Sequence, residues 1–291
     1  VPHDPPIAVV IATHNRSARL ARTLERLTAL PERPEVLVVD NASTDGTRAM
    51  VADRFPGVGL LPLSANVGPL ARNAGVRAVH RPYVAFSDDD SWWEPGALAE
   101  AVRLLDADPR IGLLAARTVV GAERTPDPVN SALAASPLTG PAGLPGPPVL
   151  GFLGCAAIAR RTAYLAAGGY HPLLFIGGEE TLLAYDITVA GWLVTYAPEV
   201  TAVHEPADDP RPERRATVRR AQNLTTWLRR PLPVALRDTW DLVREAPTDP
   251  AARAALGQVM PRLPAAWRAR RPLPPDVEAD VRLLERTHAT S

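Results

Sequence analysis

Lysine is missing from all 291 residues, so every one of the 32 basic side chains is arginine. Any mechanism that rests on a lysine amine, such as a Schiff base, is thereby excluded. A single cysteine, Cys155, leaves no internal disulfide and no four-cysteine zinc centre. Neither sign of charge is in excess, because 32 acidic residues cancel the arginines. A chain that lives on nucleic-acid phosphates carries a basic surplus, so nucleic acid is not an expected partner. No apolar run approaches the ~18 residues of a membrane helix. The longest, Val149 to Ala159, is interrupted by glycines, and no integral membrane segment is expected. The opening VPHDPPIAVV lacks the charged-then-apolar pattern of a signal peptide. A cytoplasmic enzyme is the expectation, with peripheral attachment at a membrane left open.

What is present is an ordinary globular composition, 46% hydrophobic and 22% charged, in a length that suits one large domain or a domain with an appendage. Proline is abundant, with 32 residues clustered at 126–148 and after Glu205, where it marks loops and linkers. The first third alternates apolar strands with amphipathic helices. IAVVIAT (7–13) reads as a strand buried on both faces of a parallel sheet. Leu20, Leu24, Leu27 and Leu30 then recur at helical spacing up to Pro31. EVLVVD (35–40), VGLLPL (58–63) and YVAFSD (83–88) read as further strands, with helices between them. Ser43 or Thr44 is placed to cap the helix that carries Met50, Val51 and Phe55. This β-α-β-α series predicts a doubly wound, mostly parallel α/β sheet with its ligand site at the C-terminal ends of the strands. GLLAARTVV (112–120) and VLGFLGCAAIA (149–159) read as later strands, separated by a Pro/Gly-rich loop at 121–148. EETLLAYDITVAG then reads as a helix and WLVTYAP as a strand, before Arg-rich helical segments begin at about residue 206. The expected organisation is a nucleotide-binding half (1–120), a loop plus catalytic half (121–205) and a helical extension (206–291).

Polar residues gather at four consecutive strand ends. The fourth strand runs into Asp88-Asp89-Asp90 and SWWEP. Asp88 and Asp90 fall on one side of an extended chain, which suits Mg²⁺ or Mn²⁺ holding a diphosphate. The competing reading is a solvated turn before a helix, where acids are favoured anyway. The other ends carry Thr13-His14-Asn15-Arg16, then DNASTDGT (40–47), then NVGPLARNAG (66–75). A capped turn accounts for any one of these, but not readily for all four together.

VVIATHNR, VVDNASTDGT, NVGPLARNAG, AFSDDDSWWEPGAL and GGEETLLAYD, in this order, resemble the family 2 inverting glycosyltransferases, which bind nucleotide sugars on a GT-A fold. The resemblance runs from residue 7 to about 205. It implies that Thr13, Asn15 and Asp40 line the nucleoside pocket, and that Asn66, Gly68, Arg72 and Asn73 approach the nucleotide. It implies further that Asp88 reaches the ribose and neighbours the metal, that Asp90 binds the divalent metal, and that Glu180 is the catalytic base with Glu179 beside it. His204, in TAVHEP, resembles a histidine that reaches the metal or diphosphate in such folds. The implied donor is a UDP-, dTDP- or GDP-linked sugar, and the acceptor an aglycone, a glycan or a lipid-linked saccharide. Two positions depart from the family pattern: Glu180 stands where Asp is common, and Asp186 where Arg is common. Processive synthases carry Gln-x-x-Arg-Trp and membrane helices; Gln222 and Trp227 have the wrong spacing, so transfer of one sugar is expected.

Two rivals remain. A non-catalytic nucleotide-sugar-binding module would not need Asp88, Asp90 and Glu180. A sugar-1-phosphate nucleotidyltransferase would need a glycine-rich GxGTRxxP loop and a lysine, which this chain lacks. Of Trp92 and Trp93, one is expected in the core and one near the pocket. The 121–148 loop reads equally as a lid over the donor or as a surface insertion. The arginines of RPERRATVRRAQNLTTWLRR read as a solvated helix face, with recognition of a phosphorylated acceptor as the alternative.

Overall fold

The computed structural model describes residues 5–206 and 214–290. In the first strand, β1 (Ile7–Thr13), six of seven side chains are buried. Alternation divides them between two cores. Ile7, Val9 and Ile11 face one cluster; Ala8 and Val10 face another. Helices α1 (Ser17–Thr28) and α4 (Ala97–Ala107) cover the first side with Leu20, Leu24, Leu27, Leu98 and Leu105. Helices α3 (Ala71–Ala78), α6 (Arg161–Ala166) and α7 (Glu179–Val189) cover the second with Val76, Tyr164, Leu183 and Ile187. Each fully buried leucine contributes about 1.5–3 kcal/mol. Two-sided burial of a near-continuous apolar strand is what makes the sheet doubly wound.

Strands β2 (Glu35–Asp40), β3 (Gly59–Pro62) and β4 (Tyr83–Ser87) pair in parallel around β1, with helix α2 (Thr47–Arg54) between β2 and β3. The remaining strands are β5 (Ser91–Trp93), β6 (Ile111–Val120), β7 (Thr125–Pro126), β8 (Ala157–Arg160) and β9 (Leu193–His204). The order is β3-β2-β1-β4-β8-β6-β9-β5, with β7 paired on β6. β8 runs antiparallel between β4 and β6, whereas β6 and β9 are parallel. This is the expected α/β class, with an antiparallel insertion that periodicity did not reveal.

Several boundaries differ from the sequence reading. Only Ala157–Arg160 of the apolar run at 149–159 is strand. A Cβ on Gly154 would stand 3.0 Å from Glu180 Oε1 and 3.3 Å from Arg72 Nη1, so here the chain passes over a polar cluster before it enters the sheet. The 121–148 segment is pinned down: it holds α5 (Val129–Ala134), and Asn130 bonds both the N–H and the C=O of Thr118, at 2.9 and 2.7 Å. β9 continues past Pro198 to His204 through a register shift against β6. The three-residue β5 is too short to have a readable pattern. Ser43 and Thr44 do not cap α2; Gly46 takes the N-cap position and Asp45 accepts from Thr47 N at 3.1 Å. Trp93 is fully buried, while half-buried Trp92 lies under the Arg26 guanidinium, 5.5 Å from its ring centre.

Beyond the sheet, α8 (Arg214–Arg229), α9 (Leu232–Glu245), α10 (Pro250–Val259), α11 (Leu263–Arg268) and α12 (Pro275–Thr290) complete the described chain. α7 shares apolar contacts with them. Leu182 joins Ala221, Leu224, Leu228, Leu242 and Val259 in one cluster, and Tyr185 joins Val277 and Val281 in another. The arginine run is not one solvated face among the described residues: Arg211 lies outside them, and Arg215 is exposed, but others turn inward. Arg220, Arg229 and Arg230 are buried. Arg229 forks onto Asp186 at 2.6 and 2.8 Å, so the acid at that position anchors the extension. Arg230 pairs with Glu278 at 2.8 Å and Glu285 at 2.5 Å. Elsewhere arginines end helices by binding carbonyls: Arg160 donates to Leu105 O and Ile111 O, and Arg161 to Val76 O. No helix among the described residues is long and apolar enough to cross a membrane.

Candidate functional site

The strand-end loops are tied to one another by side chains. Asn15, left-handed at φ 54°, accepts from Thr44 N at 2.7 Å through Oδ1, and its own N–H donates to Ser43 Oγ at 3.0 Å. Asn41 donates to Gly68 O at 3.0 Å and accepts from Val67 N at 3.1 Å. Asn66 accepts from Gly68 N at 2.9 Å. Gly68 has φ 60°, and a Cβ there would lie 2.7 Å from the Phe175 ring, so no other residue fits without movement. Asn15 and Asn66 are exposed along this rim.

Two residues expected to face the nucleotide are turned inward. Asp40 is fully buried, accepting from Ser43 N at 3.2 Å and from Arg48 Nε at 2.5 Å. Its carboxylate sets the loop after β2. Asn73 is also buried; it donates to Tyr170 O at 2.8 Å and accepts from Tyr164 Oη at 2.6 Å and Tyr170 N at 2.9 Å. Its amide is committed to fixing the turn before α7. Thr13 is buried too, donating to Asp89 Oδ2 at 3.1 Å.

The acidic triplet forms a tight turn in which Asp88 N donates to Ser91 Oγ at 2.7 Å. Asp89 points in towards Thr13 and its pKa is pushed up to about 7, first by burial and then by Asp90 and Asp88. Asp90 meets Arg19 Nη1 at 3.3 Å and His204 Nε2 at 3.5 Å. β5 explains that last contact: Ser91 pairs with His204 across the antiparallel ladder, and Glu205 N donates to Asp90 O at 2.8 Å. Burial opposes protonation of His204, but Asp90, Asp88 and Asp127 outweigh it and raise the pKa. No three metal-ligating side chains converge among the described residues. Asp90 and His204 nevertheless offer oxygen and imidazole nitrogen side by side. That donor set fits Mg²⁺ or Mn²⁺, which take one or two carboxylates and complete their shell with water and substrate phosphate.

The second acidic centre sits at the start of α7. Gly177 and Gly178, at φ 88° and 85°, turn the chain so that Glu179 and Glu180 occupy the first helical turn. A Cβ on Gly177 would lie 2.9 Å from Val218 of α8. Burial raises the pKa of both acids, and Glu179 raises that of Glu180 further, to about 8. One Glu179 oxygen has no partner. Arg72 joins the two acidic centres. It is buried, pairs with Asp88, and lies 5.7 Å from the Tyr170 ring centre. Glu180 and Asp88 hold it charged against the cost of burial. The structure therefore brings Arg72, Asp88, Asp90, Glu179, Glu180 and His204 together and sets Asp40 and Asn73 aside. Arg19, Asp89 and Tyr170 belong to the cluster but escaped the sequence reading. Arg19 lies one turn into the helix after β1, where its position was a usable signal; Tyr170 carried none. Two clefts of about 390 and 680 Å³ are lined by other residues, among them Glu94, Arg117 and Arg124 in one and Arg103 and Pro145 in the other.

The family model for Glycosyl transferase family 2 matches residues 8–166. The N-acetylglucosaminyl-diphospho-decaprenol L-rhamnosyltransferase of Mycobacterium tuberculosis is 28% identical over 237 residues, covering 69% of this chain and 76% of that protein. The validoxylamine A glucosyltransferase of Streptomyces hygroscopicus subsp. limoneus is 43% identical over 94 residues, 30% of this chain and 20% of its own. Among solved structures, the Pyrobaculum calidifontis mannosyltransferase PcManGT, in complex with GDP-Man and Mn²⁺, superposes with a TM-score of 0.58 at 22% identity, covering 99% of this chain and 81% of its own. S. aureus TarS 1-349 in complex with UDP-GlcNAc gives 0.58 at 15% identity, covering 90% of each chain. These structural likenesses concern the fold.

Proposed function

Since the chain belongs to glycosyl transferase family 2 and is a glycosyltransferase that uses nucleotide sugars, we propose that it moves one sugar per event, with inversion, onto an acceptor hydroxyl, and that a divalent cation assists. The observation that carries this reading is the pairing of two acidic centres, Asp88–Asp90 and Glu179–Glu180, across the buried cation Arg72. Asp90 and His204, with Asp88 beside them, would hold the cation, which offsets charge gathering on the departing nucleoside diphosphate. Asn15 and Asn66 on the rim would meet the nucleoside. Glu180 accepts the proton of the acceptor hydroxyl as that oxygen attacks the anomeric carbon; the bond from carbon to the phosphate oxygen breaks on the opposite face, and the configuration inverts. Glu179 and Arg72 fix the position and charge of Glu180. Because the mycobacterial relative is named for a lipid-linked diphospho-sugar acceptor, a phosphate-linked saccharide is favoured here over a free aglycone.

Thermal shifts with UDP-, dTDP- and GDP-sugars, with Mn²⁺ or with chelator, test the donor half. A ligand present at 100 times its Kd stabilises the folded state by about 2.7 kcal/mol. One nucleotide should raise the melting temperature when Mn²⁺ is present, and Asp90→Asn should abolish most of that rise. Equal shifts in chelator, in Mn²⁺ and in the variant would refute the metal role.

A further inference from the structure

Among the described residues, α8 and the turn after it hold four arginines paired with acids and one buried arginine that is not. Arg215, Arg219, Arg229 and Arg230 each have a carboxylate within 4.0 Å. Arg220 has none: its Nη1 donates to Gln258 Oε1 at 3.0 Å, while Nε and Nη2 have no partner. It is only 7% exposed. A second guanidinium, that of half-buried Arg262, binds the backbone oxygen of the same Gln258 at 2.7 Å. Two cations therefore share one neutral glutamine. Burial first, and then Arg262, make it harder for Arg220 to keep its charge. A desolvated arginine without an anion is costly.

The surroundings tell what is missing. α8 crosses the N-terminus of α7, where a Cβ on Gly178 would stand 3.4 Å from Thr225 Oγ1 and 3.5 Å from the Ala221 carbonyl carbon. Thr225 is buried and its hydroxyl has no partner either, and neither has Glu179 Oε2. Burial raises the pKa of Glu179. Arg220 and Thr225 both carry unpartnered buried donors on α8, the helix that crosses the N-terminus of α7. Gly177, Gly178 and Glu180 are partly exposed at this end.

We infer that Arg220 and Arg262 form a phosphate site for the acceptor, next to the catalytic pair, so that the acceptor is a phosphorylated or diphosphate-linked saccharide. The inference rests on the glycosyltransfer reading above and adds the residues that would hold the acceptor's phosphate. A phosphate oxygen pair matches the open edge of a guanidinium, and Arg220 and Arg262 stand on one glutamine, where a phosphate would answer both charges.

The probe is inorganic pyrophosphate, titrated calorimetrically into the full chain in chelator. A parallel titration uses the nucleoside diphosphate that binds with Mn²⁺. Arg220→Gln and Arg262→Gln should each weaken pyrophosphate about tenfold, Arg220→Lys should lose less, and nucleoside diphosphate affinity should stay unchanged in all three. Without anion, Arg220→Gln should melt no lower than the unaltered chain, since it removes an unpaired buried charge. Should Arg220→Gln fail to fold, half-exposed Arg262 carries the comparison. Unchanged pyrophosphate affinity in Arg262→Gln and any folded Arg220 variant overturns the site and leaves Arg220 as a distant counter-charge to Glu179. Failure of nucleoside diphosphates to bind the unaltered chain would instead overturn the donor reading, and the pyrophosphate comparison would still decide this one.

Discussion

Replacing Glu180 by Gln keeps the shape of the side chain and its place on α7 but removes the proton acceptor. A general base contributes about 10²–10⁴-fold, or roughly 3–5 kcal/mol of barrier, and turnover should fall by that factor. Donor affinity should hardly change, because Glu180 lies on the acceptor side of Arg72. The structure adds a pH signature. With its pKa near 8, Glu180 is about one-tenth ionised at pH 7. The value of kcat/KM for the unaltered chain should therefore climb about tenfold between pH 7 and pH 9, and the Gln variant should be flat there. Stability must respond with the opposite sense. The folded pKa lies above the ordinary 4.5, so stability present below that value is lost as pH rises toward about 8. Glu180→Gln should then melt above the unaltered chain at pH 9 and close to it at pH 5. The assay is initial-rate transfer with the true acceptor across this range, alongside melting curves. A Gln variant that turns over at the unaltered rate, or that keeps the same pH profile, refutes the base assignment.

Two further outcomes follow from the joint between α7 and the extension. Asp186→Ala strands the buried Arg229 guanidinium and should cost about 3–5 kcal/mol in urea unfolding; the double change Asp186→Leu with Arg229→Met should recover most of it. Gly177→Ala forces a Cβ into φ 88° and to 2.9 Å from Val218. It should cost about 1–3 kcal/mol and lower turnover more than donor affinity, whereas equal losses of both would show that the turn does not serve the base.

The first four strands and their helices were legible because β1 is apolar on both faces and the leucines of α1 keep strict helical spacing. The Asp88–Asp90 centre was legible because it ends a strand, whereas Glu179–Glu180, at the start of α7, was reached only through the family resemblance. Contacts made through the third dimension were not. Asp40 and Asn73 carry the right residue types in the right motifs, yet Arg48, eight residues on, claims Asp40, and the buried Tyr164 and Tyr170, 91 and 97 residues on, claim Asn73. The arginine run looked solvated because its acids, Asp186, Glu278 and Glu285, lie 43 to 55 residues away in sequence. β5 was invisible at three residues, although it is what brings His204 to Asp90.

The all-arginine inventory has a consequence for titration. No lysine side chain titrates in the alkaline range, because the chain has none. Burial drives Cys155 and the tyrosines Tyr164, Tyr170 and Tyr185 upward, out of the mildly alkaline window. Between about pH 8 and pH 10 the protein is therefore almost silent as a buffer. A carboxylate proton counted there by difference infrared spectroscopy comes from Glu180, with the tail of the Asp89 titration to subtract. In most enzymes that window is crowded with lysines; in this one a single carboxylate proton stands out against a blank background.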